Sequence, residues 1–326
     1  MSAQSETAAT SKGWTTRLFR IGLSVAILFV LFRFVNAGDL LARISKISPL
    51  VWIGVFAGFL LGHSAAAAKW RLLIGGDTPY LRALQAHFAG LAANIALPGV
   101  AGGDVVRAGL VMKGSDRKTA LALGSLADRL IDTCVLLVIA ALGAALLGAR
   151  AGVDPNGLML AGAGVATAGV ATVFSLRPIA MLLRSKAPGG KIGAIVRDIA
   201  QALDEIAGRK GALCICIALS LAIQLSFAAM NGLIAHDIGA GTPLAVWIFA
   251  WPLAKLIATL PISFGGLGVR EVSIAGLTAP MGYDASSVIA ASLIWQSVLY
   301  AGGIAGAIAQ AFGLRELKRG AEANHG

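Results

Sequence analysis

Three short stretches place ionisable side chains inside otherwise apolar sequence: "NIALPGVAGGDVVRAG" from Asn94 to Gly109, "LADRLID" from Leu126 to Asp132, and "PISFGGLGVREVS" from Pro261 to Ser273. In the first, Pro98, Gly102 and Gly103 break one helix, and Asp104 follows where a helix N-cap belongs. Arg107 lies three residues on, so the two charges share one helix face. In the second, Asp128 and Asp132 are one turn apart and Arg129 is within reach of Asp132. In the third, Pro261, Gly265, Gly266 and Gly268 interrupt the helix and leave backbone N–H groups open to an anion. Arg270 adds a planar, permanently charged fork suited to phosphate, and Glu271 can hold that arginine when the site is empty or take a counter-ion.

One charge at the centre of a bilayer costs about 2.5–3.5 kcal/mol on insertion scales. So many together must face each other or a wet cavity. Two compatible readings follow: a buried network that fixes the first broken segment to the helix carrying Asp128, or a site for an anionic substrate. An expected consequence is that all three stretches surround one polar cavity.

Other chemistry is poorly represented. The sequence has no Walker A, HExxH or GxSxG pattern, and His63, His87, His236 and His325 show no metal spacing. "GGLGVRE" lacks the preceding strand and third glycine of a dinucleotide fingerprint. Cys134, Cys214 and Cys216 lie in apolar runs as small packing residues. We therefore expect no catalytic residue, metal or cofactor. Gln224, Asn231 and Gln296 read as interhelical hydrogen bonds, and the GxxxG pairs Gly58/Gly62 and Gly302/Gly306 as helix contacts.

The elements that position these residues follow from hydropathy. Of the 326 residues, 57% are hydrophobic and 13% charged, and the mean hydropathy is +0.80. A soluble domain carries about 25% charged residues, so the chain belongs in a membrane. The fold class expected is all-α: a polytopic helical bundle of about six full spans plus two re-entrant hairpins entering from opposite faces. The spans fall near residues 18–35, 49–68, 119–147, 157–176, 212–235 and 285–312. The first, after a disordered tail over 1–16, is read as uncleaved. Lys69-Trp70-Arg71 closes the second as an interfacial anchor. Hairpin legs fall at 83–98 and 105–112, and again at 243–261, interrupted by Lys255, and 272–280. The transmembrane domain covers 17–314 and a tail covers 315–326. Within the basic connector 177–210, apolar residues from Ile192 to Ile206 recur at helical spacing, predicting an amphipathic helix docked under the bundle or lying on anionic lipid.

The net charge of +11 reflects membrane orientation rather than nucleic acid. With the N-terminus inside, about 19 of the 27 Lys and Arg fall in cytoplasmic segments. Both termini are then cytoplasmic, and the opposed broken segments echo inverted-repeat transporters.

Taken together, the three stretches resemble the lysylphosphatidylglycerol synthase transmembrane (flippase-like) family, over about residues 18–312. The resemblance implies a multi-pass inner-membrane protein that moves or handles lipids: phospholipids, polyprenyl-linked sugars or hopanoid types. It implies one motif at Asn94, Pro98, Gly103, Asp104 and Arg107, and a second at Asp128 and Arg129. The third comprises Pro261, Ser263, Gly265, Gly266, Gly268, Arg270 and Glu271. The family's full-length synthases carry a soluble aminoacyl-transfer domain after the membrane part, whereas a short tail follows Phe312. Aminoacyl transfer is therefore not expected of this chain. The favoured function is a lipid translocator or lipid-handling protein with an intramembrane head-group cavity. The alternative is a membrane-embedded transferase, or an accessory subunit of a separately encoded lipid-modifying enzyme, with Asp104, Asp128 or Glu271 as base.

Overall fold

A computed structural model describes residues 37–97, 101–151, 154–260 and 266–323, and among them every regular element is helical. Apolar surroundings impose this, because a helix satisfies its backbone N–H and C=O groups within itself. In chain order the helices are α1 (Ala37–Ile44), α2 (Pro49–Leu73), α3 (Tyr80–Ala96), α4 (Ala101–Met112), α5 (Lys118–Leu147) and α6 (Pro155–Ser185). They continue with α7 (Gly190–Gly208), α8 (Lys210–Asp237), α9 (Leu244–Ala258), α10 (Val269–Thr278) and α11 (Ala285–Ala323).

Five of these are long and apolar enough to cross a membrane: α2, α5, α6, α8 and α11. They match five of the six expected spans. The expected first span, the tail before it, and the break residues Pro98, Pro261 and Gly265 lie outside the described residues, as does the candidate site residue Ser263.

The short helices form two hairpins. α3 and α4 run antiparallel: Arg82 Nη2 donates to the Lys113 carbonyl at 3.0 Å, and Gly90 faces Gly103, where a Cβ on Gly90 would come within 2.7 Å of the Gly103 carbonyl oxygen. α9 and α10 also run antiparallel, with Leu253 and Phe249 packed among Leu277 and Met281. At about 1.5 Å per residue, α4 and α10 are far too short to span ~30 Å of hydrocarbon.

The two hairpins attach to opposite ends of α5. Ala83, Ala86 and Val111 at the base of the first cluster with Leu121 near the start of α5, together with Trp70 and Ile74. The base of the second packs on Ala144, Leu147 and Ala151 beyond its other end. Gly143 permits this, because a side chain there would strike the backbone of Phe249. With bases at opposite ends, the tips are directed toward the middle of the bundle.

The core between them is aromatic, with Phe59, Phe227, Trp247, Trp251 and Trp295 all buried. Gly62 accommodates Phe227 and Gly302 accommodates Phe59, so the GxxxG glycines act as helix contacts. The amphipathic helix expected in the connector is α7. Its C-terminal half is docked through ion pairs of Asp204 with Arg184 (3.2 Å) and of Glu205 with Arg117. Its N-terminal half leaves Ile192 and Ile195 exposed.

Lys69 departs from expectation. It is not an interfacial anchor but is 1% exposed, beside a fully buried Trp70. The helix carrying it continues to Leu73, which keeps both residues inside the bundle.

Candidate functional site

The first two charged stretches form one neutral network across α2, α4 and α5. Asp128 and Asp132, four apart on α5, present one face to α2 and α4. Arg107 Nη2 lies 2.8 Å from Asp128 Oδ2 and 3.1 Å from Asp104 Oδ1. Arg129 pairs with Asp104. Lys69 Nζ lies 3.0 Å from Asp128 Oδ1 and pairs with Asp132, which also accepts from the Ser220 hydroxyl. The Arg107 guanidinium stands 4.8 Å from the Trp70 ring centroid. Three cations thus face three carboxylates, which offsets the cost of burying them. The expected Arg129–Asp132 contact does not form, because Lys69 from α2 occupies that side of Asp132 and Arg129 turns to Asp104.

Backbone closeness sets up this network. Gly124 lets α5 meet the end of α2, where a Cβ would come within 2.6 Å of the Leu73 carbonyl oxygen. Gly102 and Gly103 do not break the chain as expected. They lie in the first turn of α4, and Gly103 N–H donates to Asn94 Oδ1 at 2.8 Å. Gly103→Ala would drive a methyl into the Gly90 carbonyl and Asn94, so we expect a loss of about 1–3 kcal/mol. Gly109→Ala meets nothing within 4 Å and should leave the melting temperature unchanged or raise it, because alanine is the better helix former. Thermal denaturation of both variants checks this.

The elbow before α10 is built differently. Gly266 and Gly268 have φ of +78° and +81°, a region open chiefly to glycine. Glu271, fully buried, accepts from the Gly268 N–H at 2.7 Å and from the Ser292 hydroxyl at 3.0 Å. It caps the helix and does not hold Arg270. The reason is helical geometry: neighbours one residue apart point about 100° from each other. Arg270 instead donates from Nη1 to Gln296 Oε1 at 2.6 Å.

Arg270 lines a cavity of about 120 Å³ together with Asn94 from the first hairpin and Lys255 from the second. Trp251, Trp295 and Phe227 add aromatic faces, and Leu91, Ile95 and Leu299 add aliphatic ones. Lys255 Nζ donates to Gln224 Oε1 at 2.7 Å and stands 4.9 Å from the Trp251 ring centroid. Among the described residues, Lys255 and Arg270 have amides as their hydrogen-bond partners and make no ion pair. Two cations that make no ion pair among the described residues, in one cavity, give it the chemistry to accept an anion.

The three stretches therefore do not share one cavity. Asp104, Arg107, Asp128, Arg129 and Asp132 form the network, while Asn94 and Arg270 line the cavity. Two histidines join the centres: His63 Nδ1 lies 3.0 Å from His87 Nε2, and His87 Nδ1 lies 3.3 Å from Arg107 Nη1. Lys69, His63, His87 and Gln296 are site residues that the sequence reading passed over. Lys255 carried a signal, a lone cation interrupting an apolar run, whereas the histidine pair carried none.

The bundle, its opposed hairpins and the enclosed charges define a multi-pass helical membrane protein with a polar centre between short helices. Residues 17–306 match the model of the family described as "Lysylphosphatidylglycerol synthase TM region", and the chain belongs to that family. No curated protein matches the sequence. Membership makes this a membrane protein involved in lipid handling.

Proposed function

We propose that this protein binds the anionic head group of a membrane lipid in the cavity that both hairpins line and translocates that lipid across the inner membrane. The observation that carries the reading is the presence of a buried Arg270 and a half-buried Lys255 on one cavity wall, neither with a carboxylate in ion-pair contact among the described residues. A buried cation without a counter-ion destabilises the fold, so a ligand that supplies the counter-charge explains its presence. The aliphatic lining beside it suits the start of an acyl or polyprenyl chain. In a bilayer the two short-helix hairpins are re-entrant and admit the head group from opposite faces. Phospholipid, polyprenyl-linked and hopanoid-type lipids are the candidate cargoes. The basic connector faces anionic lipid at the cytoplasmic surface, and a separately encoded lipid-modifying enzyme would supply or consume the cargo.

The transferase alternative has less support. Asp104 and Asp128 are committed to ion pairs, and Glu271 to a helix cap, so no candidate base stands free. The test is reconstitution into vesicles with a panel of fluorescent lipids, following exchange between leaflets. Exchange of one lipid class faster than in protein-free vesicles, and dependent on Arg270, is expected. Equal rates with and without protein across the panel would overturn the reading.

Orientation is checked separately. In a background without Cys134, Cys214 and Cys216, a cysteine at Asn156 should react with an impermeant thiol reagent from outside. One at Gly189, in the basic connector, should react only after the membrane is opened. The opposite pattern would place both termini outside.

A further inference from the structure

The hydrogen-bonding sense of the cavity wall carries more than the presence of cations. Three side chains near the wall could face a ligand with either a donor or an acceptor, and each is fixed by a partner that can only donate. Asn94 receives the Gly103 backbone N–H, so its oxygen is engaged and its NH₂ is the remaining end. Gln296 faces the Arg270 guanidinium, which has no acceptor, so its oxygen is likewise occupied. His87 faces Arg107 through Nδ1, so that nitrogen accepts and the proton sits on Nε2. That Nε2–H donates to His63 Nδ1, 3.0 Å away. The neutral His63 therefore carries its own proton on Nε2, the nitrogen not engaged with His87.

The rest of the wall has the same sense. Lys255 and Arg270 are donors by nature, and no carboxylate lines the cavity among the described residues. Among the described residues, the Tyr300 hydroxyl is the one lining side chain able to work in either sense. The wall thus offers, among the described residues, N–H groups from Asn94, Gln296, His63, Lys255 and Arg270, and few side chains that could accept.

Resting on the head-group reading above, we infer that the cavity selects lipids whose head group is a phosphoryl anion without an ammonium group. Phosphoryl oxygens only accept hydrogen bonds, and several are presented at once, which matches a wall of donors. An ethanolamine or aminoacyl head group would bring an ammonium into a cavity that already holds two cations and no carboxylate. Its phosphate would be recognised, but its amine would be repelled and left without an acceptor. Arg107 contributes to this selectivity from outside the cavity, by setting the tautomers of the histidine pair.

The experiment measures binding of short-chain lipids to the full-length detergent-solubilised protein by calorimetry. Dihexanoyl phosphatidylglycerol, phosphatidic acid and phosphatidylethanolamine are compared on wild type, Arg270→Gln and Lys255→Met. The expected result is binding of the two amine-free lipids at least about tenfold tighter than the ethanolamine lipid, lost in both variants. A tighter phosphatidic acid arm would assign a phosphate monoester, and a tighter phosphatidylglycerol arm a diester. Gln296→Glu, which puts a carboxylate into the wall, should narrow the preference or reverse it. If the ethanolamine lipid binds as tightly as phosphatidylglycerol, in a manner dependent on Arg270 and Lys255, the donor-only selectivity fails while the head-group site stands. If no lipid binding depends on either residue, the site itself is wrong and the inference falls with it. Should one variant fail to fold, the other decides.

Discussion

Replacing Arg270 by methionine is expected to lower lipid affinity and translocation by about 10- to 150-fold without lowering the melting temperature. The loss follows from removing hydrogen bonds between a charged fork and a phosphoryl oxygen, each worth about 1.5–3 kcal/mol. The preserved stability follows from what Arg270 lacks. Its hydrogen-bond partner in the fold is the neutral Gln296, so its removal breaks no ion pair among the described residues, and methionine keeps most of the buried stem. Removing a desolvated charge that makes no direct ion pair relieves a cost. A melting temperature equal to or above that of wild type, with binding lost, is the expected signature. Arg270→Lys should recover only part of the affinity, because a point charge replaces a bidentate fork. A variant that melts well below wild type yet binds lipid normally would assign Arg270 to the fold rather than to the ligand.

Lys69→Met should behave in the opposite way. Lys69 bridges Asp128 and Asp132 at 1% exposure. Without it Asp132 keeps the Ser220 hydroxyl alone and the network holds an excess of negative charge. Removing one partner of a buried pair costs about 3–5 kcal/mol. The variant should therefore melt much earlier or accumulate poorly, while its correctly folded fraction binds lipid with unchanged affinity. Lys69→Met combined with Asp132→Leu removes charge from both sides and should regain most of the stability, since an apolar pair of similar volume replaces an ionic one. Thermal denaturation of the single and double variants, with lipid titration of the folded fraction, checks both statements. A single variant as stable as wild type would show that the network does not hold α2, α4 and α5 together.

The contrast between these variants separates two kinds of buried charge that look alike along the chain. Arg107 and Arg270 each sit beside an acidic residue, at i−3 and at i+1 respectively. Only the first spacing brings the partners onto one helix face, and the ion pair forms there. The second spacing turns Glu271 away to cap its own helix, which frees Arg270 for the cavity. Helical periodicity alone contained that distinction, and the expected Arg270–Glu271 contact overlooked it.

What the sequence by itself determined was everything that depends on neighbours along the chain. Long apolar runs dictate membrane helices, because backbone groups in hydrocarbon must be satisfied internally. The spans at α2, α5, α6, α8 and α11 were legible for that reason, as were the need for glycine at Gly266 and Gly268 and the shared face of Asp128 and Asp132. The tertiary structure decided which helix each charged face meets. Lys69 reads as a terminal anchor until α5 is seen to bring two carboxylates against it. His63 and His87, 24 residues apart on α2 and α3, become a pair only when those helices pack. Lys255 is an isolated cation in sequence, and its pairing with the neutral Gln224 rather than with a carboxylate emerges only from the fold. Periodicity fixes the face on which a side chain lies, whereas the rotation of one helix against another is set by close backbone approaches such as those at Gly124 and Gly143. Those approaches depend on residues far apart in the chain, and they divided the charges between a neutral ion-pair network and a cavity wall.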